Sequence, residues 1–171
     1  MRSRIVPLAH SACGDASLVR HNSGMTPTPA DSCVFCGIIA GQLPVSQVYE
    51  DDQTVAFMDV RPLTSGHLLV VPRVHAASLE VLDEDTGTLV FAVAHRLARA
   101  LRNSAVPCEG VNLFLADGVA AGQEVFHVHL HVIPRTPGDG FRLKARPRTP
   151  GRDELDTTAG RVRAGMSSLP G

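Results

Sequence analysis

The stretch "FHVHLHVIP", residues 126–134, constrains this chain more than any other. Its strict alternation has period two, which is the signature of a β-strand with two unlike faces. His127, His129 and His131 share one face. Phe126, Val128, Leu130 and Val132 share the other, which is apolar and expected to face the core. The rise of a strand sets neighbouring imidazoles about 6–7 Å apart along one line. Any fold that accepts this strand must bury one side of a sheet and leave three imidazoles on the other. Exposed strand faces more usually carry Thr, Lys or Glu, so three histidines in register point to chemistry. A metal site and nucleophilic or acid–base catalysis both fit.

Around the row, the chain reads as helix, three strands, helix, two strands, helix. In "SCVFCGIIAGQ", Ser32 serves as N-cap and Gly41 stands near the C-cap of a short helix. "SQVYED" and "TVAFMDV" alternate and form a hairpin, and "GHLLVVP" is a third strand closed by Pro72. Asp83 caps a long helix on which Leu89, Val90, Val93, Ala94, Leu97, Ala98 and Leu101 form one apolar face. "GVNLFLAD" and the histidine row are strands four and five. After a Gly/Pro-rich loop, "RDELDTTAGRVRAGM" reads as a C-terminal helix, acidic early and basic late, which suits its dipole. Short links between neighbouring strands favour antiparallel pairing, so the class is α+β.

Residues 1–31 lack lasting periodicity and are expected to be a flexible tail, with a possible translation start at Met25; residues 32–171 form one domain. Arg2 and Arg4 precede a short apolar patch, but no convincing cleavage site follows, and a cytoplasmic protein is expected. No apolar run approaches the roughly 20 residues of a membrane span. With 16 basic and 17 acidic side chains, the net charge is −1, which argues against a general polyanion-binding surface.

Four cysteines, Cys13, Cys33, Cys36 and Cys108, are too few for a disulfide scaffold in 171 residues. Cys33 and Cys36 have C-x-x-C spacing, which is metal-binding or redox-active. Two thiolates supply half of a tetrahedral zinc site, and histidines from the row or from "PRVH", ending at His75, would complete it as Cys2His2.

"FHVHLHVIPR" resembles the signature of the histidine triad (HIT) family, His-φ-His-φ-His-φ-φ with φ apolar. "CVFCGIIAGQLPVSQVYEDD", "VAFMDVRPLTSGHLLVVPRVH", "GVNLFLADGVAAGQEVFH" and "PRTPGDGF" look like its bacterial branch, so the likeness covers about residues 32–167. The resemblance implies a five-stranded antiparallel sheet with a long helix and N- and C-terminal helices, and two subunits paired as a homodimer. It implies transfer or hydrolysis at the α-phosphate of a purine nucleotide or nucleotide conjugate. His129 would attack phosphorus and form a nucleotidyl-histidine intermediate. Neutral imidazole is a nucleophile near pH 7, provided one nitrogen is free and the other is held by an acceptor such as a carbonyl on a neighbouring strand. The resemblance also implies a structural zinc ion held by Cys33, Cys36, His75 and His127.

The rest of the site is carried over residue by residue. His131 would contact phosphate oxygens or tune its neighbour, and Gln123 would orient the leaving side. Asn112 would lie near the phosphates and Asp59 would bind ribose hydroxyls. Phe35, Ile38, Phe57 and Val60 are apolar and suit either a slot for the base or the core. His67 receives no catalytic role, and His95 reads as a surface or interface residue. Glu124 departs from the Ser or Thr common at its position, and a carboxylate there would repel phosphate unless it turns away or shapes the leaving-group preference. The leading function is a nucleotide hydrolase or transferase acting on nucleoside phosphoramidates, adenylylated amines or dinucleoside polyphosphates. The alternative is a low-turnover nucleotide sensor or scaffold. A third possibility, a zinc-structural interaction domain, leaves His129 and His131 unexplained. Balanced charge and the lack of a further Cys/His cluster argue against nucleic-acid end processing of the aprataxin type.

Overall fold

The computed structural model describes residues 30–142 and 144–169. The expected tail and the Met25 start therefore fall outside the described residues, apart from positions 30 and 31. A 3-10 turn over Ala30–Ser32 leads into helix α1, Val34–Ile39. Its N-cap is Cys33 rather than Ser32, because the preceding turn already uses Ser32. Gly41 follows the C-cap Ala40 with φ of 70°, a left-handed conformation that glycine adopts without strain.

Five strands follow: β1 (Gln47–Glu50), β2 (Thr54–Met58), β3 (Leu68–Pro72), β4 (Gly110–Phe114) and β5 (Leu130–Arg135). They form one sheet in the order β1-β2-β3-β5-β4, and every pair is antiparallel. This is the expected α+β architecture. Helix α2, Glu84–Arg102, crosses between β3 and β4 and covers one face of the sheet. Asp83 caps it, with Oδ1 accepting the Asp85 N–H and Oδ2 the Thr86 N–H, both at 3.1 Å. Val90, Val93, Ala94, Leu97 and Leu101 pack on Ala56, Leu68, Val70, Leu130 and Val132, so the helical period of one element meets the two-residue period of the strands. Leu89, expected on the same face, is exposed.

The histidine row is only partly a strand. β5 begins at Leu130, so His127 and His129 precede it and only His131 lies within it. Pro72 gives the physical reason. The β3–β5 register pairs Leu68 with Val132, Leu69 with His131 and Val70 with Leu130. Carried two residues further it would set Pro72 opposite Val128, and proline has no N–H for a ladder. The Val128 N–H instead donates to the Ala76 carbonyl at 2.7 Å, outside the sheet. Val128, Leu130 and Val132 are buried in apolar clusters as expected. Phe126, expected with them, is half-buried and outside these clusters, and His127 and His129 are buried as well.

Helix α3, Arg152–Met166, has the bounds expected from its charge pattern, but none of its residues is buried. Among the described residues no helix is long and apolar enough to cross a membrane.

Candidate active site and metal centre

The departure of residues 125–129 from the sheet carries His127 to the side of β3 that faces helix α1. The bond from Val128 to Ala76 draws the segment against the turn bearing His75. Cys33, Cys36, His75 and His127 then converge, with one ligand atom from each lying within 4.8 Å of all the others. Sγ of Cys33 is 3.5 Å from Nδ1 of His127, and Sγ of Cys36 is 3.3 Å from Nδ1 of His75 and 3.6 Å from Nδ1 of His127. Tetrahedral zinc, with Zn–S near 2.3 Å and Zn–N near 2.0–2.1 Å, sets sulfur and nitrogen about 3.5–3.6 Å apart. The donor set and its spacing fit zinc. Nε2 of His127 donates to the Pro72 carbonyl at 2.8 Å, which leaves Nδ1 as the bare nitrogen toward the cysteines. The proline that ends the ladder thus supplies the acceptor that orients this ligand. Burial pushes His127 down to about 4, which keeps the imidazole in the neutral form a metal requires.

His129 has the opposite tautomer. Its Nδ1 lies 2.7 Å from the carbonyl of His127. A carbonyl only accepts, so Nδ1 carries the proton and Nε2 keeps its lone pair. The holding carbonyl was expected on a neighbouring strand; it comes from two residues upstream on the same segment. Burial is the main effect on His129 and lowers it from the ordinary histidine value; the bond to the His127 carbonyl and the nearby Asp59 oppose that shift. The imidazole is neutral near pH 7.

His131 is set by a residue to which the sequence assigned no role. The Leu63 N–H donates to Nδ1 of His67 at 3.2 Å, so Nε2 of a neutral His67 carries the proton. That Nε2 lies 2.9 Å from Nδ1 of His131 and donates to it, which leaves Nε2–H of His131 as a donor at the site. His67 is 1 % exposed, and Oδ2 of Asp59 lies 3.5 Å from its Nδ1. Burial, and then the proximity of His129 and His67, lowers His131 to about 4. His67 directly precedes β3, whose pairing with β5 brings it to His131. Only that pairing reveals it.

His129 and His131, with ring centroids 4.9 Å apart, line a cavity of about 940 Å³. This is large enough for a cofactor-sized ligand. One wall is apolar and contains Phe35, Ile38, Phe57 and Val60, the four residues suited to a base slot or to the core. Phe35 meets His129 edge-on at 5.2 Å and His127 at 5.9 Å, so it touches both the site and the metal cluster. Asp59 also lines the cavity, and its Oδ1 accepts the Arg61 N–H at 2.8 Å.

Two expected contacts lie elsewhere. Gln123 does not line the cavity. Its Oε1 accepts the Gly118 N–H at 2.7 Å, and its Nε2 donates to the Ala77 and Val125 carbonyls at 2.9 and 3.0 Å. It braces the loop whose residues Gly122, Glu124 and Val125 do reach the cavity. Asn112 lies on β4, where its Oδ1 accepts from Arg135, and it too is absent from the lining. Glu124 turns to the rim and pairs with Arg61 at 2.7 Å.

The family model described as "HIT domain" matches residues 40–138. The chain belongs to the HIT family. Its structure is similar to that of a zinc-bound histidine triad family protein from Mycobacterium smegmatis, with TM-score 0.64 and 38% identity, covering 80% of this chain and 99% of that one. It is also similar to a histidine triad nucleotide-binding protein from Candida albicans, with TM-score 0.73 and 28% identity over 81% of this chain and 100% of that one. An Arabidopsis thaliana adenylylsulfatase, HINT3, is 38% identical over 115 residues, which are 66% of this chain and 56% of the plant protein. At the level of the family this is a nucleotide-binding hydrolase or transferase.

Proposed function

We propose that this HIT protein cleaves nucleotide conjugates at the α-phosphate, with His129 as nucleophile. Its substrates are nucleoside phosphoramidates, adenylylated amines or dinucleoside polyphosphates. The observation that carries the reading is the locked tautomer of His129: with Nδ1 bonded to the His127 carbonyl, Nε2 is the nitrogen left for attack in a cavity of nucleotide size. The base occupies the slot of Phe35, Ile38, Phe57 and Val60, and Asp59 accepts from the ribose hydroxyls. With a phosphoramidate, the Nε2 lone pair attacks phosphorus while Nε2–H of His131 donates to a phosphoryl oxygen. The P–N bond breaks, and the amine leaves with the bonding pair and a proton from solvent. Water then cleaves the phosphoryl–His129 bond, restoring the imidazole and releasing a nucleoside monophosphate. Asn112 and Gln123 act on the site through the β4–β5 and loop backbone they hold.

Zinc bound by Cys33, Cys36, His75 and His127 has four protein ligands and no open position, so its role is structural. The S–N spacings and the zinc-bound mycobacterial relative support this. The sheet ends at β4, where Leu113 and Phe114 are 37% and 38% exposed, and that edge supports pairing with a second copy of the chain.

A low-turnover nucleotide sensor is the second reading, favoured by the engagement of the Gln123 amide within its own loop. Monophosphate release from a panel of adenosine and guanosine phosphoramidates and dinucleoside polyphosphates separates the two. Turnover by wild type that disappears in His129→Ala supports the enzyme. A panel left intact by wild type favours the sensor, and turnover surviving in His129→Ala refutes the mechanism.

A further inference from the structure

The Arg61–Glu124 pair has no part in that mechanism, yet both residues line the cavity that holds His129 and His131. They come from opposite banks, one from the turn after β2 and the other from the loop before the histidines, 63 residues apart in sequence. Each bank is fixed independently. The backbone N–H of Arg61 is held by Asp59, and the loop of Glu124 is held by the three bonds of Gln123. The two side chains themselves are 80% and 73% exposed. An ion pair that open to water contributes little to stability and is cheaply broken. It is therefore an exchangeable contact held across the mouth by two firm supports.

The charges are placed for a particular exchange. A lone carboxylate at position 124 would repel a phosphoryl group at His129, and Arg61 cancels that charge in the free protein. A purely anionic ligand would draw Arg61 away and leave Glu124 uncompensated. A ligand with an anion and a cation can replace both partners at once: its phosphate takes the guanidinium, and its cation takes the carboxylate. Building on the nucleotide reading above, we infer that Glu124 selects nucleotide conjugates whose leaving group carries a positive charge close to the α-phosphate, with Arg61 passing from Glu124 to the phosphate on binding. Among the three substrate classes this favours conjugates of diamines and of amines with a second cationic group over dinucleoside polyphosphates.

The test uses two adenosine 5′-alkylphosphonates, one 3-aminopropyl and one butyl, with the guanosine pair in parallel. Their P–C bond resists cleavage, so calorimetric titration of the full chain reads affinity without turnover. At low salt the ammonium ligand is expected to bind about tenfold tighter to wild type. This advantage should fall to within about twofold in Glu124→Gln and shrink in about 0.5 M salt. In Arg61→Gln it should grow, because Glu124 is then unpartnered. Equal affinities in wild type, or an advantage that survives Glu124→Gln, overturn the inference while leaving nucleotide binding intact. If the pair is only structural, both variants shift both ligands alike, which overturns it too. Wild type that binds neither ligand refutes the nucleotide reading, and the inference falls with it.

Discussion

The carbonyl of His127 accepts a 2.7 Å hydrogen bond from Nδ1 of His129, so the residue whose side chain faces the cysteine pair also sets the tautomer of the residue beside it. Metal retention and catalysis are expected to move together. Protein purified without chelator should carry about one zinc per chain. Cys36→Ser replaces one of the four ligands and should weaken metal binding and lower turnover alongside. Metal analysis with parallel assays checks this. Metal-free protein that is fully folded and fully active would contradict it.

His129→Ala is expected to lower kcat/KM by at least about 10³-fold on any conjugate the wild type cleaves. Wild type quenched during turnover should carry an acid-labile nucleotide adduct on one histidine, detected by intact-mass analysis and absent from the variant.

Gly66 stands immediately before His67 with φ of 88°. A Cβ there would lie 2.6 Å from Cγ1 of Val106 and 3.2 Å from Cγ of Pro134. Gly66→Ala combines a left-handed strain with a clash and should cost about 2–4 kcal/mol of stability, read from urea unfolding. It should also displace His67 from His131, so kcat should fall in the fraction that remains folded.

Acid should destabilise the fold through His131. Burial, helped by His129 and His67, lowers this group from 6.5 to about 4. Between those values the unfolded chain binds a proton that the folded chain refuses, so stability is lost as pH falls from about 6.5 toward 4. Urea midpoints should drop across that window, and His131→Asn should flatten part of the decline. A slope unchanged in the variant would assign the loss to other groups.

The β4 edge offers a further test. Leu113→Lys places a charge on that edge without touching the cavity lining. Light scattering should register a dimer for wild type and a monomer for the variant.

Features set by local rules were legible in the sequence. The Asp83 cap, the apolar stripe of α2 and the bounds of α3 follow from neighbours within a few residues. So does the polar and apolar alternation of residues 127–132. What was not legible depended on partners across the sheet. Pro72 stops the β3–β5 ladder, and only the register shows that it faces the histidine row. His67 meets His131 through the same pairing, and Arg61 meets Glu124 across 63 residues. The amides of Gln123 and Asn112 could be recognised as hydrogen-bonding groups. That backbone carbonyls and Arg135 engage them could not.

Phe35 sits between Cys33 and Cys36 in the chain, with its ring edge-on to both His127 and His129. The short turn that presents the thiols therefore also forms the wall of the base slot. Equilibrium linkage then requires reciprocity: if ion binding orders this wall and tightens nucleotide binding by some factor, nucleotide binding must tighten the ion by the same factor. A chelator competition run with and without nucleotide would measure one coupling energy from either end of a single aromatic ring.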